Sequence, residues 1–152
     1  DVADYMEYVH AVPHSEYIEP NPALDRMLGR LRPPKAIFTN ASQSHARRVL
    51  SALGVSPSHF ECIFDFEAAG FCPKPDPEAY RRILARLGAR GDQCVLVEDN
   101  LRNLQTAKSV FGMTTVLVQK ASHADTCHDD ASIHADRVID DILQLEQVLG
   151  ER

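Results

Sequence analysis

The 152-residue chain is 44% hydrophobic and carries a net charge of −6, with 16 Lys and Arg against 22 Asp and Glu. That length and apolar share predict one domain with a buried core, and basic residues scattered over an acidic chain exclude the electrostatic footprint of a nucleic-acid binder. No run of 18 apolar residues occurs and the N-terminus lacks a basic head followed by an apolar stretch, so no membrane contact is expected. Four cysteines, at 62, 72, 94 and 127, show no C-x-x-C pairing; reduced thiols and a cytoplasmic setting are the expectation.

In chain order, Tyr5, Met6, Tyr8, Val9 and Val12 suit a short amphipathic helix that Pro13 ends, and E-P-N-P at 19–22 leads into a second helix carrying Leu24, Met27, Leu28 and Leu31. From residue 35 onward short β-rich runs alternate with helices of 3.6-residue apolar period, the pattern of βαβ units and a parallel α/β fold. Strands are expected near 35–39, 62–66, 94–98 and 114–118, with a short fifth at Val138-Ile139. The intervening helices bury Ala46, Val49, Leu50 and Leu53; then Tyr80, Ile83, Leu84 and Leu87; then Leu101, Leu104, Ala107 and Phe111. Each meets a glycine (54, 88, 112) directly after its last apolar position, the usual left-handed stop. Asp76 is placed to cap the second of these helices, with Pro77 at its first position. Residues 120–137, rich in Asp, His, Ser and Ala, read as a surface loop, and a last helix carries Ile142, Leu143, Leu145 and Leu149.

Polar residues with chemical potential stand where apolar strands end. Thr39 closes K-A-I-F-T-N, so its hydroxyl can donate to a phosphate oxygen while the next backbone N–H groups form an anion nest; a helix cap is the plainer role for the same residues. Lys74 lies between prolines in C-P-K-P-D-P, which fix the backbone and aim the ammonium. Glu98 and Asp99 follow C-V-L-V, and two carboxylates at the end of a buried strand either cap a helix or hold a hard cation such as Mg²⁺. Asn103, in the L-R-N that follows, is either a polar contact to the ligand or a solvated residue at the helix start. In an open parallel sheet the carboxyl ends of strands converge on one crevice. Anion donors, a countercharge and metal-holding carboxylates are what phosphoryl transfer requires; a nucleophile is the part not found. His123, Cys127, His128, Asp129 and His134 are metal-compatible in type but lack zinc spacing, so a solvated loop is expected there.

Thr after one strand, Lys in a proline-flanked loop and an acidic pair after a third strand together resemble the haloacid dehalogenase-like (HAD) hydrolase superfamily. The strings I-F-T-N-A, C-P-K-P-D-P-E-A-Y and V-L-V-E-D-N-L-R-N are most similar to its pyrimidine 5′-nucleotidase-like branch. The resemblance covers nearly all of residues 5–149. It implies a Rossmannoid three-layer α/β sandwich with a mainly parallel sheet, in which residues 1–25 are the remnant of a helical cap and its connector and 26–152 an incomplete core. It also implies Thr39 as the phosphate-binding hydroxyl, Asn40 and Asn103 as phosphate or substrate contacts, Lys74 as the catalytic lysine, and Asp99 with Glu98 as Mg²⁺ ligands.

The family's first motif, D-x-D-x-T/V after an N-terminal strand, supplies the attacking aspartate and the general acid/base. Here D-V-A-D at 1–4 has the wrong spacing and no preceding strand. The expectation is that the natural protein is longer by about 60–80 residues of strand and cap, that the missing central strand leaves unpaired edges on its neighbours, and that these edges close up, take another segment or pair between two copies. The function implied is Mg²⁺-dependent hydrolysis of a small phosphorylated metabolite, a nucleoside 5′-monophosphate among the candidates, through an aspartyl-phosphate whose nucleophile this chain does not supply. The alternative is a non-catalytic phosphate-binding or regulatory module. A receiver-type phospho-accepting domain is disfavoured, because its acidic pair precedes its Thr and Lys.

Overall fold

The computed structural model of the chain describes residues 17–119 and 134–150. The helix expected over 5–12, the D-V-A-D stretch, most of the cap-like segment, and His123, Cys127, His128 and Asp129 lie outside the described residues. Where length predicts one domain, the chain divides into two compact units, residues 1–71 and 72–152, each with its own parallel ladder.

In the first unit, helix α1 (Pro22–Arg30) starts at Asn21, whose side chain accepts the Leu24 N–H, and has proline in its first turn. It ends one residue before the expected Leu31, and Pro33-Pro34 beyond cannot continue it. The boundary expected after residue 25 thus falls within α1. Strand β1 (Ala36–Phe38) pairs in parallel with β2 (Cys62–Phe64), Ile37 opposite Ile63, and the Phe38 and Phe64 rings meet edge to face with centroids 5.9 Å apart. Between them runs α2 (Gln43–Leu53), capped by the Ser42 hydroxyl and stopped by Gly54 at φ 68°. Met27, Ala46, Leu50, Val55, Phe64 and Ala69 are buried in this unit. Asp25 ties α1 to the 3-10 turn Pro57–His59: its Oδ1 accepts the Ser56 N–H at 2.9 Å and lies 2.7 Å from His59 Nε2.

In the second unit, α3 (Pro77–Leu87) is capped by Asp76, which accepts the Glu78 N–H at 2.8 Å. A 3-10 turn at Gly91–Gln93 then feeds β3 (Val95–Glu98), α4 (Leu101–Phe111), β4 (Thr114–Val118) and β5 (Arg137–Ile139). The strands lie in the order β3-β4-β5, all parallel, Val97 opposite Val116 and Val116 opposite Arg137. The central strand is the most deeply buried, as a parallel sheet covered on both faces requires. Leu104 of α4 packs with Leu117 and Ala135, flanked by Leu96 and Leu101. Gly91 sits where a Cβ would stand 2.0 Å from the Phe111 carbonyl oxygen, so the turn and the end of α4 can approach only because that side chain is absent.

Two local expectations are corrected. The loop expected over 120–137 ends earlier: Ala135 is buried, Asp136 takes both the N–H and the hydroxyl of Thr115 at 2.8 and 2.9 Å, and β5 begins at Arg137. The C-terminal helix is broken, a 3-10 turn (Ile142–Gln144) capped by Asp141 passing into α5 (Leu145–Gly150). As expected, the fold is α/β with parallel strands. Among the described residues β1 is laddered to β2 in the first unit, and β3 to β4 and β4 to β5 in the second.

Candidate active site

In the first unit, Thr39 directly follows β1 and its N–H donates to the Phe64 carbonyl at 2.9 Å, extending the ladder by one residue. Its hydroxyl oxygen accepts the Ala41 N–H at 3.0 Å, which fixes the side chain and leaves the hydroxyl proton as a donor. It does not cap a helix, since Ser42 takes that role by accepting the His45 N–H. The expected nest of N–H groups is reduced: that of Ala41 goes to Thr39 Oγ1, and that of Gln43 goes to Asp65 Oδ2 at 3.0 Å. Asn40 is exposed. Asp65, just past β2, was not singled out from sequence. Its second oxygen accepts the Ala68 N–H at 2.9 Å, so one carboxylate binds the start of α2 to the loop after β2.

In the second unit, Lys74 is not an exposed turn lysine. Its ammonium donates to Glu98 Oε2 at 2.6 Å, and the two side chains are only 9% and 11% exposed. The lysine comes from the loop before α3 and the glutamate from the end of β3, so the contact joins two elements 24 residues apart. The other Glu98 oxygen accepts the Asp99 N–H at 3.2 Å. Burial pushes the Glu98 carboxyl up, but its hydrogen bonding to Asp99, the Lys74 ammonium and the Asn103 side chain outweigh that and hold it below the usual range. Asp99 goes the other way: its interaction with Glu98, followed by partial burial, raises it. The acidic pair is therefore divided in role. Both Glu98 oxygens are engaged by donors, whereas Asp99 is exposed.

Neither acid caps α4, because Asn100 does, accepting the Arg102 N–H at 3.0 Å. An Asn directly before an apolar-periodic run is a cap signal that was there to be read. L-R-N at 101–103 is the first turn of that helix rather than loop. Asn103 is buried instead of solvated; its carbonyl accepts the hydroxyl of fully buried Tyr80 at 2.8 Å and its side chain supports Glu98. Tyr80 in turn stacks on Phe111, centroids 5.5 Å apart and planes 16° from parallel, which packs α3 against α4.

Among the described residues no three His, Cys, Asp or Glu side chains cluster to hold a metal. A hard cation that keeps several waters needs only one or two carboxylates, and exposed Asp99 beside Glu98 fits that donor chemistry. A cavity of about 500 Å³ in the second unit is lined by Val95, Thr114 and Arg137, which open their strands, together with Lys108 and Asp136; it lies at the opposite strand ends from Glu98 and takes no part here. Cys62, Cys72 and Cys94 form no disulfide with one another among the described residues. No helix among the described residues is long and apolar enough to cross a membrane.

The family model for haloacid dehalogenase-like hydrolases matches residues 2–110. A phosphoglycolate phosphatase from Rhodospirillum rubrum is 31% identical over 114 residues, covering 75% of this chain and 45% of its own. Among solved structures, a HAD phosphatase from Thermococcus onnurineus is 25% identical with a TM-score of 0.71, covering 96% of this chain and 64% of its own. A HAD family hydrolase from Deinococcus radiodurans with bound phosphate and sodium is 26% identical with a TM-score of 0.69, covering 86% and 59%. The chain thus spans about half the length of the curated relative and under two thirds of either solved chain.

Proposed function

Because the chain belongs to the haloacid dehalogenase-like hydrolases, we propose that it carries the phosphate- and metal-holding part of a Mg²⁺-dependent phosphomonoester hydrolase acting on a small phosphorylated metabolite, a nucleoside 5′-monophosphate among the candidates. The observation that carries this reading is the buried Lys74 ammonium 2.6 Å from Glu98 at the carboxyl end of β3, with exposed Asp99 next in sequence. A lysine so placed is a fixed positive charge in a poorly solvated setting, where it offsets phosphate charge far better than a mobile surface lysine does. Glu98 aims that lysine. Asp99 holds the metal, which when bound supplies further charge to polarise the phosphoryl oxygens. Thr39 donates its hydroxyl proton to a phosphate oxygen, and Asn40 is the adjacent polar contact. The attacking aspartate comes from outside this stretch of sequence. The phosphatase relatives and the phosphate bound in the Deinococcus hydrolase support this reading, and we place the protein in the cytoplasm, since its four cysteines show no C-x-x-C pairing.

The test is release of inorganic phosphate from a panel of phosphomonoesters by the protein from its natural source, with and without Mg²⁺. Mg²⁺-dependent turnover lost in Asp99→Asn and Lys74→Met is the expected result, with negligible turnover by the 152-residue chain because the covalent route needs its nucleophile. Turnover by the 152-residue chain, abolished by Asp99→Asn, would place the nucleophile within it. Phosphate binding without turnover by the natural protein would make it a non-catalytic binding module.

A further inference from the structure

We infer that the exposed ring of Phe71 is the surface on which the leaving group of the substrate stacks, and that the preferred substrates carry a flat aromatic leaving group; this rests on the phosphomonoesterase reading above. Phe71 is the one non-glycine residue with positive φ, 61°, among the described residues. A bulky side chain there is disfavoured by contact between its Cβ and the backbone, and such conformations persist only where the surroundings impose them. The residue is 57% exposed, so burial of apolar surface does not account for its conformation.

The loop is tightly specified. Phe71 donates its N–H to the Phe66 carbonyl at 3.0 Å, Phe66 donates its own to the Ala41 carbonyl at 3.2 Å, and Asp65 accepts the N–H groups of Gln43 and Ala68. Residues 65–71 are thereby tied to residues 41–43, just past Thr39, at the carboxyl ends of β1 and β2. The Phe66 ring meets Phe71 edge to face, centroids 5.5 Å apart and planes 85° from parallel, a contact that supports one side of the Phe71 ring. An exposed aromatic ring on a loop anchored just past Thr39 is suited to stack a second ring carried by the ligand.

The experiment is calorimetric titration of the 152-residue chain in Mg²⁺ with inorganic phosphate, glycerol phosphate and phenyl phosphate, for wild type, Phe71→Gly and Phe71→Trp. Glycine accepts the positive φ, so Phe71→Gly removes the ring without adding strain, and its thermal midpoint serves as the folding control. The expected result is phenyl phosphate bound about fivefold to tenfold more tightly than glycerol phosphate by wild type and by Phe71→Trp, with that ratio falling to near one in Phe71→Gly. Equal affinity for the two esters in wild type, or an unchanged ratio in Phe71→Gly, overturns the inference while leaving the phosphatase reading in place. No affinity for phosphate or either ester overturns both.

Discussion

Replacing Glu98 by Gln, or Lys74 by Met, removes one partner of an ion pair whose side chains are 9% and 11% exposed and keeps nearly the same volume. Removing one member of such a buried pair costs about 3 kcal/mol or more, because the remaining charge is left in a poorly solvated site. For a chain of this size each single change should lower the thermal midpoint by about 6–12 °C. In the double variant neither charge remains, so its loss should be no larger than that of one single variant, about 3 kcal/mol rather than the roughly 6 kcal/mol that additive effects would give. The coupling energy is then about 3 kcal/mol. Urea unfolding of the four proteins followed by far-UV circular dichroism measures it; the chain has no tryptophan to report instead. Additivity within about 0.5 kcal/mol would show that the two groups are solvated and do not depend on each other, and would remove the physical basis for a lysine aimed by Glu98.

Three further outcomes follow from contacts elsewhere in the two units. Gly91→Ala should destabilise by about 1–3 kcal/mol or more in the same urea assay, because its Cβ would meet the Phe111 backbone rather than a side chain able to move aside. Tyr80→Phe should cost about 1 kcal/mol, the Asn103 carbonyl losing its buried hydroxyl partner while the ring stack on Phe111 remains. Asp25 is held below its ordinary value of 3.8, chiefly by the Ser56 N–H and then by the His59 ring. Its folded value is therefore the lower one, and its contribution to stability is complete above the ordinary value and lost as pH falls through the lowered value. Acid titration of stability should accordingly show wild type and Asp25→Asn converging below about pH 4 and separating above it.

The helices were legible because local rules and tertiary burial agree in them: Gly54, Gly88 and Gly112 take positive φ at the three expected stops, and Asp76 caps where it was expected to. The strands were legible to within about a residue or two at each end, since short β-rich runs between helices have few other uses. The division into two ladders was not legible, because pairing partners depend on contacts distant in sequence. At the candidate site the residue types were readable and the division of labour was not. Nothing local says that Lys74 reaches Glu98, 24 residues away, or that Asn103 turns inward while Asn100 takes the cap. The positive φ of Phe71 also had no sequence signal, because Gly70 before it already supplies a turn residue and also takes positive φ.

The most direct test of the account is calorimetric titration of the 152-residue chain with inorganic phosphate in the presence and absence of Mg²⁺, repeated for Thr39→Val, Lys74→Met and Asp99→Asn. The account predicts binding strengthened by Mg²⁺, weakened in Thr39→Val and Lys74→Met, and insensitive to Mg²⁺ in Asp99→Asn. Phosphate affinity in wild type that is indifferent to Mg²⁺ and to all three substitutions would contradict it.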